Sequence, residues 1–192
     1  MREVDSPPRG ARLINLPNAL TLFRLLLIPT FLWLYFSEPE RPWIALTVYL
    51  GAAITDYVDG YLARRWNQVT WFGKLFDPLA DKVLAMAMLY CLASSGRIGW
   101  WVLGVFLAKE LYMIAGSGFL LSRNYVVKAD YFGKTATAAF IVASALTLPW
   151  HGSRALSNVG RVLLYISLGM SLLAMVHYTV SAVKKQNEFK SN

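Results

Sequence analysis

Residues 43–63 read WIALTVYLGAAITDYVDGYLA. No lysine or arginine interrupts the stretch, and as a helix it would reach about 30 Å, the thickness of a bilayer's hydrocarbon core. Asp56 and Asp59 nevertheless sit inside it, three residues apart, so both project from one helical face. Gly60 and Ala63 continue that face with almost no side chain, leaving room for something bulky. A segment apolar enough for lipid that still carries two carboxylates sets the fold class and marks where chemistry should be sought.

Five further apolar segments flank it: Asn18–Phe36, Asp77–Ser94, Gly99–Leu121, Phe132–Pro149 and Val159–Val183. Together they predict an all-α, polytopic membrane protein with six transmembrane helices. The composition agrees. Of 192 residues 56% are hydrophobic and 16% charged, against about 45–50% and about 25% in soluble domains. A soluble globular enzyme, a disulfide scaffold and a disordered chain are excluded. The lone Cys91 has no internal disulfide partner. Linkers such as Ser37-Glu38-Pro39, Ser94-Ser95-Gly96 and His151-Gly152-Ser153 are short and rich in turn formers. The expected organisation is a juxtamembrane segment over residues 1–17, a membrane domain over 18–183 and a tail over 184–192. The first apolar run contains Arg24 and Pro29 and lacks a small-residue cleavage pattern, so it is expected to be retained rather than removed as a signal.

Orientation follows the basic residues. One set of polar segments holds Arg2, Arg9, Arg12, Arg64, Arg65, Lys74, Arg123, Lys128, Lys134, Lys184, Lys185 and Lys190, whereas the alternate set holds Arg41, Arg97 and Arg154. Both termini are therefore expected in the cytoplasm. Trp43, Trp100, Trp101 and Trp150 fall near the opposite interface, where indole rings prefer to sit. The net charge of +8 records this topology, with attraction to anionic lipid as a smaller contribution. Basic residues dispersed over juxtamembrane loops do not form a nucleic-acid surface.

Five of the eleven acidic residues lie in or beside apolar spans: Asp56, Asp59, Asp77, Asp81 and Glu110. An aspartate at mid-span costs about 2.5–3.5 kcal/mol, so four cost on the order of 10 kcal/mol without compensation. Asp77 and Asp81, four apart, again share a helical face. A short connection makes their helix an antiparallel neighbour of the one bearing Asp56 and Asp59. Four hard oxygen ligands in one pocket suit Mg²⁺ or Mn²⁺, and a pair of such ions suits phosphoryl transfer. Arg64 and Lys74 flank the pocket and can pair with phosphate oxygens. A purely structural role is available to Asp77, which precedes Pro78 and could cap a helix starting there.

These residues form a string: Asp56-x-x-Asp59-Gly60-x-x-Ala63-Arg64, eight residues, then Gly73-x-x-x-Asp77-x-x-x-Asp81. It resembles without departure the signature of the CDP-alcohol phosphotransferase family, eight fixed residue types across twenty-six positions. The opening Asn15-Leu16-Pro17-Asn18-x-x-Thr21-x-x-Arg24 and the run Gly73 to Lys82 resemble the family's bacterial phosphatidyltransferases. The resemblance implies six membrane helices, a homodimer and a bacterial inner-membrane location with the site facing the cytoplasm. It implies that Asp56, Asp59, Asp77 and Asp81 hold two divalent cations, Mg²⁺ or Mn²⁺, against the pyrophosphate of CDP-diacylglycerol. Asp59, Gly60, Ala63, Arg64 and Gly73 would line the nucleotide site. Asp81 would also act as general base on the acceptor hydroxyl, with CMP as leaving group.

The acceptor is less sharply written. The opening stretch and the Asp77 to Lys82 run resemble members that use glycerol 3-phosphate, a dianion that calls for basic side chains. Candidates are Lys109, Arg123, Lys128 and Lys134. The last three also serve the topology, and intramembrane Lys109, beside Glu110, is expected to form an internal ion pair. The stretch Lys109 to Gly116 resembles instead the CMP-forming cardiolipin synthases, which use phosphatidylglycerol. Buried acids also mark ion pathways, so a cation channel or transporter is the rival of a different class. It leaves unexplained why glycines, an alanine and an arginine accompany the acids at set intervals.

Overall fold

A computed structural model of the chain describes residues 16–65, 71–122, 131–148 and 154–190. Six helices account for nearly all of them: α1 Leu16–Ser37, α2 Pro42–Arg65, α3 Trp71–Ser94, α4 Trp100–Ser122, α5 Tyr131–Thr147 and α6 Arg154–Lys190. No strand occurs among the described residues. Each apolar segment of the sequence is a helix. Two helices extend well past their apolar runs, α3 starting at Trp71 rather than Asp77 and α6 running Arg154–Lys190 rather than Val159–Val183. Pro78 consequently lies inside α3, so Asp77 is not an N-cap. Pro29 likewise lies inside α1. Each proline removes one backbone donor, a loss that membrane helices tolerate.

Ala19–Ser37 of α1 and Arg154–Ala182 of α6 are long and apolar enough to cross a membrane by length and composition. Their outer faces carry Leu26, Trp33 and Leu173, each at least two-thirds exposed. Surface of that kind is what lipid or another apolar partner covers. Hydroxyl side chains along the helices fold back onto the carbonyl four residues earlier, as Thr30 does to Leu26, Thr47 to Trp43, Thr55 to Gly51 and Thr147 to Ala143. Their polar groups are thereby satisfied without water.

The chain divides into two units, residues 1–87 and 88–192, with the boundary inside α3. In the first, α1 and α2 pack as a hairpin. Its turn is closed by Glu38 N–H donating to the Leu34 carbonyl and Arg41 N–H to that of Glu38, both at 3.0 Å. The buried stripe of α1 runs Thr21, Arg24, Ile28, Phe31, Tyr35, and that of α2 includes Ala45, Tyr49 and Ala52. This alternating spacing of three and four is a helix-packing seam. Phe31 and Tyr49 meet at its centre with ring centroids 5.6 Å apart.

In the second unit α6 packs against α5 and α4. Gly160 permits the close approach of α6 to α5, since a Cβ there would stand 2.5 Å from the backbone of Leu146 and Thr147. Phe106 of α4 stacks on Phe140 of α5 at 5.7 Å. The end of α3 is set by Gly96 in the left-handed region (φ 69°). There Arg97 N–H returns to the Leu92 carbonyl at 2.9 Å. Arg97 then donates to Ser157 Oγ at 3.1 Å, and Ser157 donates to the Thr147 carbonyl at 3.1 Å.

Candidate active site

The candidate site lies in the first unit, where the α1–α2 seam changes from apolar to polar. Seven residues before Phe31 on α1 comes Arg24, and seven residues after Tyr49 on α2 comes Asp56. The antiparallel register that pairs the two aromatic rings therefore pairs the guanidinium with the carboxylate two helical turns away. Arg24 Nη1 stands 2.8 Å from Asp56 Oδ1 and donates to Asp81 Oδ1 of α3, also at 2.8 Å. These two carboxylate oxygens are thus no further apart than twice that distance. One turn earlier on α1, Thr21 Oγ1 donates to Asp77 Oδ1 at 2.7 Å.

Burial separates the roles. Arg24 is 0% exposed, whereas the Asp56 and Asp81 side chains are 39% and 47% exposed. A guanidinium taken wholly out of water costs several kcal/mol unless anions compensate it, and carboxylates from two helices do so. Those carboxylates remain open on their outer side, where a ligand can approach. Neighbouring Ala80 and Leu84 on α3 are buried, which fixes the rotation of that helix and presents Asp77 and Asp81 together.

The sequence points to nine further positions. Asp59, Gly60, Ala63 and Arg64 lie on α2, Gly73 on α3 and Lys134 on α5, their side-chain surroundings outside the described residues, as are Arg123 and Lys128 altogether. Lys109 of α4 is described. Its ammonium pairs with Glu110, donates to Ser171 Oγ of α6 at 2.7 Å and lies 5.1 Å from the Phe106 ring centroid. The expected internal ion pair is present. Among the described residues no three acidic, histidine or cysteine side chains converge as a metal ligand set. The donor chemistry still fits a hard divalent cation, because the oxygens of Asp56 and Asp81 are already gathered about a positive charge, that of Arg24.

Two residues of the site, Thr21 and Arg24, are given no role by the reading of the acidic pattern. Their signal is in the sequence: an arginine inside an apolar run carries the same expense as the aspartates and implies a partner of opposite charge.

A helical chain that gathers these aspartates around a buried arginine belongs, by its sequence, to the CDP-alcohol phosphatidyltransferase family, whose model matches residues 14–176. The chain is 37% identical over 174 residues to a protein of Shigella flexneri serotype 5b (strain 8401) named CDP-diacylglycerol–glycerol-3-phosphate 3-phosphatidyltransferase. That match covers 88% of this chain and 94% of the relative. The protein of the same name from Escherichia coli strain K12 is 36% identical over the same shares of the two chains.

Proposed function

We propose that the protein makes phosphatidylglycerophosphate, transferring the phosphatidyl group of CDP-diacylglycerol to glycerol 3-phosphate with release of CMP. The observation that carries this reading is its likeness, over nearly nine-tenths of its length, to enzymes named for that reaction. The acidic pattern and its geometry supply the chemistry.

In the reaction the acceptor hydroxyl oxygen attacks the β-phosphorus of CDP-diacylglycerol. A new P–O bond forms, the bond to the oxygen bridging the two phosphates breaks, and CMP departs with that oxygen. Asp81 takes the hydroxyl proton. Asp56, Asp59, Asp77 and Asp81 would hold divalent cations, Mg²⁺ or Mn²⁺, which neutralise the pyrophosphate and the charge that develops on leaving CMP. Gly60, Ala63 and Gly73 offer no bulk beside the nucleotide, and Arg64 can pair with its phosphate oxygens. Thr21 and Arg24 orient Asp77, Asp56 and Asp81 from behind. Glycerol 3-phosphate, a dianion, draws on Arg123, Lys128 and Lys134. Lys109 is less suited to that task, its ammonium being engaged by Glu110 and Ser171.

We further read all six helices as membrane spans, with both termini and the site at the cytoplasmic face of a bacterial inner membrane. The protein is read as a homodimer. The basic residues' distribution and the bacterial origin of the relatives support this placement. The test is Mg²⁺- or Mn²⁺-dependent CMP release from CDP-diacylglycerol by the purified protein across glycerol 3-phosphate, phosphatidylglycerol, serine and inositol phosphates, with products identified by mass. Release with phosphatidylglycerol alone would reassign the acceptor. Ion flux in liposomes without CMP release would replace the enzyme by a channel.

A further inference from the structure

We propose that Arg24 is the site's resident counter-cation, a positioning residue that holds Asp56 and Asp81 together when no divalent ion is bound and shares them with the ion when one binds. The inference rests on the phosphatidyltransferase reading, which brings the divalent ion.

Three observations lead to it. One Nη atom of Arg24 serves carboxylates from two different helices, each at 2.8 Å. Two like charges held so close repel each other, and each prefers water to that arrangement unless a cation stands between them. Arg24 is fully buried while both acids are partly open, so the positive charge approaches from the protein side and leaves the outer side for a ligand. Its placement is rigid: Thr21, Arg24, Ile28 and Phe31 form one buried stripe, locked where Phe31 meets Tyr49.

A group that is the carboxylates' sole counter-charge while no ion is bound, and shares that task once one is, stabilises the ion-free state more than the loaded one. Linkage then requires that its removal enlarge the stabilisation gained from the ion. A side chain that merely packed the seam would contribute equally to both states.

The experiment uses the full chain in detergent, purified in Mn²⁺ and then unfolded thermally in EDTA or in saturating Mn²⁺ with no other ligand added. For Arg24→Gln the Mn²⁺-induced rise in Tm is expected to be roughly double that of wild type, through a lower Tm in EDTA. Arg24→Lys, which keeps the charge, should stay near wild type. Equal losses of Tm for Arg24→Gln in EDTA and in Mn²⁺ would overturn the proposal. Adding Asp81→Asn to Arg24→Gln removes one uncompensated carboxylate and should restore folded yield and raise Tm in EDTA; no restoration also overturns it. CMP release from the same wild-type preparation separates the two readings. Normal turnover without the Mn²⁺ differential sinks the role of Arg24 alone, whereas neither turnover with any acceptor nor any Mn²⁺ effect on wild type sinks both.

Discussion

Replacing Asp81 by asparagine separates chemistry from architecture. Asparagine has nearly the shape of aspartate, and its side-chain oxygen can still accept from Arg24, which reaches Asp81 Oδ1 at 2.8 Å. What it loses is the negative charge, and with it the ability to take a proton and a share of the hold on a divalent cation. General-base catalysis contributes about 10²–10⁴-fold, which at about 1.36 kcal/mol per tenfold is about 2.7–5.4 kcal/mol on the barrier. The stability cost is far smaller. The Asp81 side chain is 47% exposed, asparagine keeps the bond from Arg24, and Asp56 remains as the counter-charge of that buried guanidinium. Asp81→Asn should therefore lose at least about a hundredfold in kcat for CMP release while its Tm in detergent changes by only a few degrees. The assay is single-turnover CMP release at saturating glycerol 3-phosphate and Mn²⁺, run beside thermal unfolding of the same sample. Turnover within a few-fold of wild type would remove Asp81 from the role of base. A Tm loss matching the loss of activity would mean that the side chain acts on folding.

Other substitutions probe the surrounding structure. Gly160→Leu places a Cβ where the Leu146 and Thr147 backbone already stands at 2.5 Å; overpacking against main chain should cost about 1–3 kcal/mol, seen as a lower Tm. Lys109→Met removes the cation beside the little-exposed Glu110 and the bond to Ser171. It should destabilise by about 1.5–3 kcal/mol, with the KM for glycerol 3-phosphate unchanged among surviving molecules. Thr21→Val deletes the 2.7 Å bond to Asp77 at a cost of about 0.5–1.5 kcal/mol. Its effect should appear as lowered kcat with the nucleotide KM held, measured by initial rates across CDP-diacylglycerol concentrations.

Much of the helix layout is legible because apolar runs about twenty residues long leave few alternatives. The starts and stops are less so, for reasons visible in particular residues. Gly73 and Lys74 interrupt the apolar pattern ahead of Asp77, yet α3 already runs from Trp71. Asp77-Pro78 reads locally as a helix start, and only a continuous helix through Pro78 displaces that reading. Lys184 and Lys185 end the apolar run of α6, but lysine is a good helix former and the helix goes on to Lys190. The acids at positions 56, 77 and 81 stand out in the sequence through their cost in lipid. Arg24 stands out for the same reason, but which acids it and Thr21 meet does not, because the paired residues lie 32 to 57 positions apart and only the packing of the helices brings them together.

The hairpin turn at Glu38–Arg41 works as a gauge block for that meeting. It lies about 22 Å from Asp56 along α2, at 1.5 Å for each intervening residue, and never approaches the site. Yet a single residue inserted into α2 between Pro42 and Asp56 would turn every later side chain by about 100° and carry it forward by about 1.5 Å, taking Asp56 off Arg24. The number of residues between an inconspicuous bend and Asp56 is thereby answerable to electrostatics at the far end of the hairpin, and insertions or deletions in that stretch are constrained although it lies away from the site.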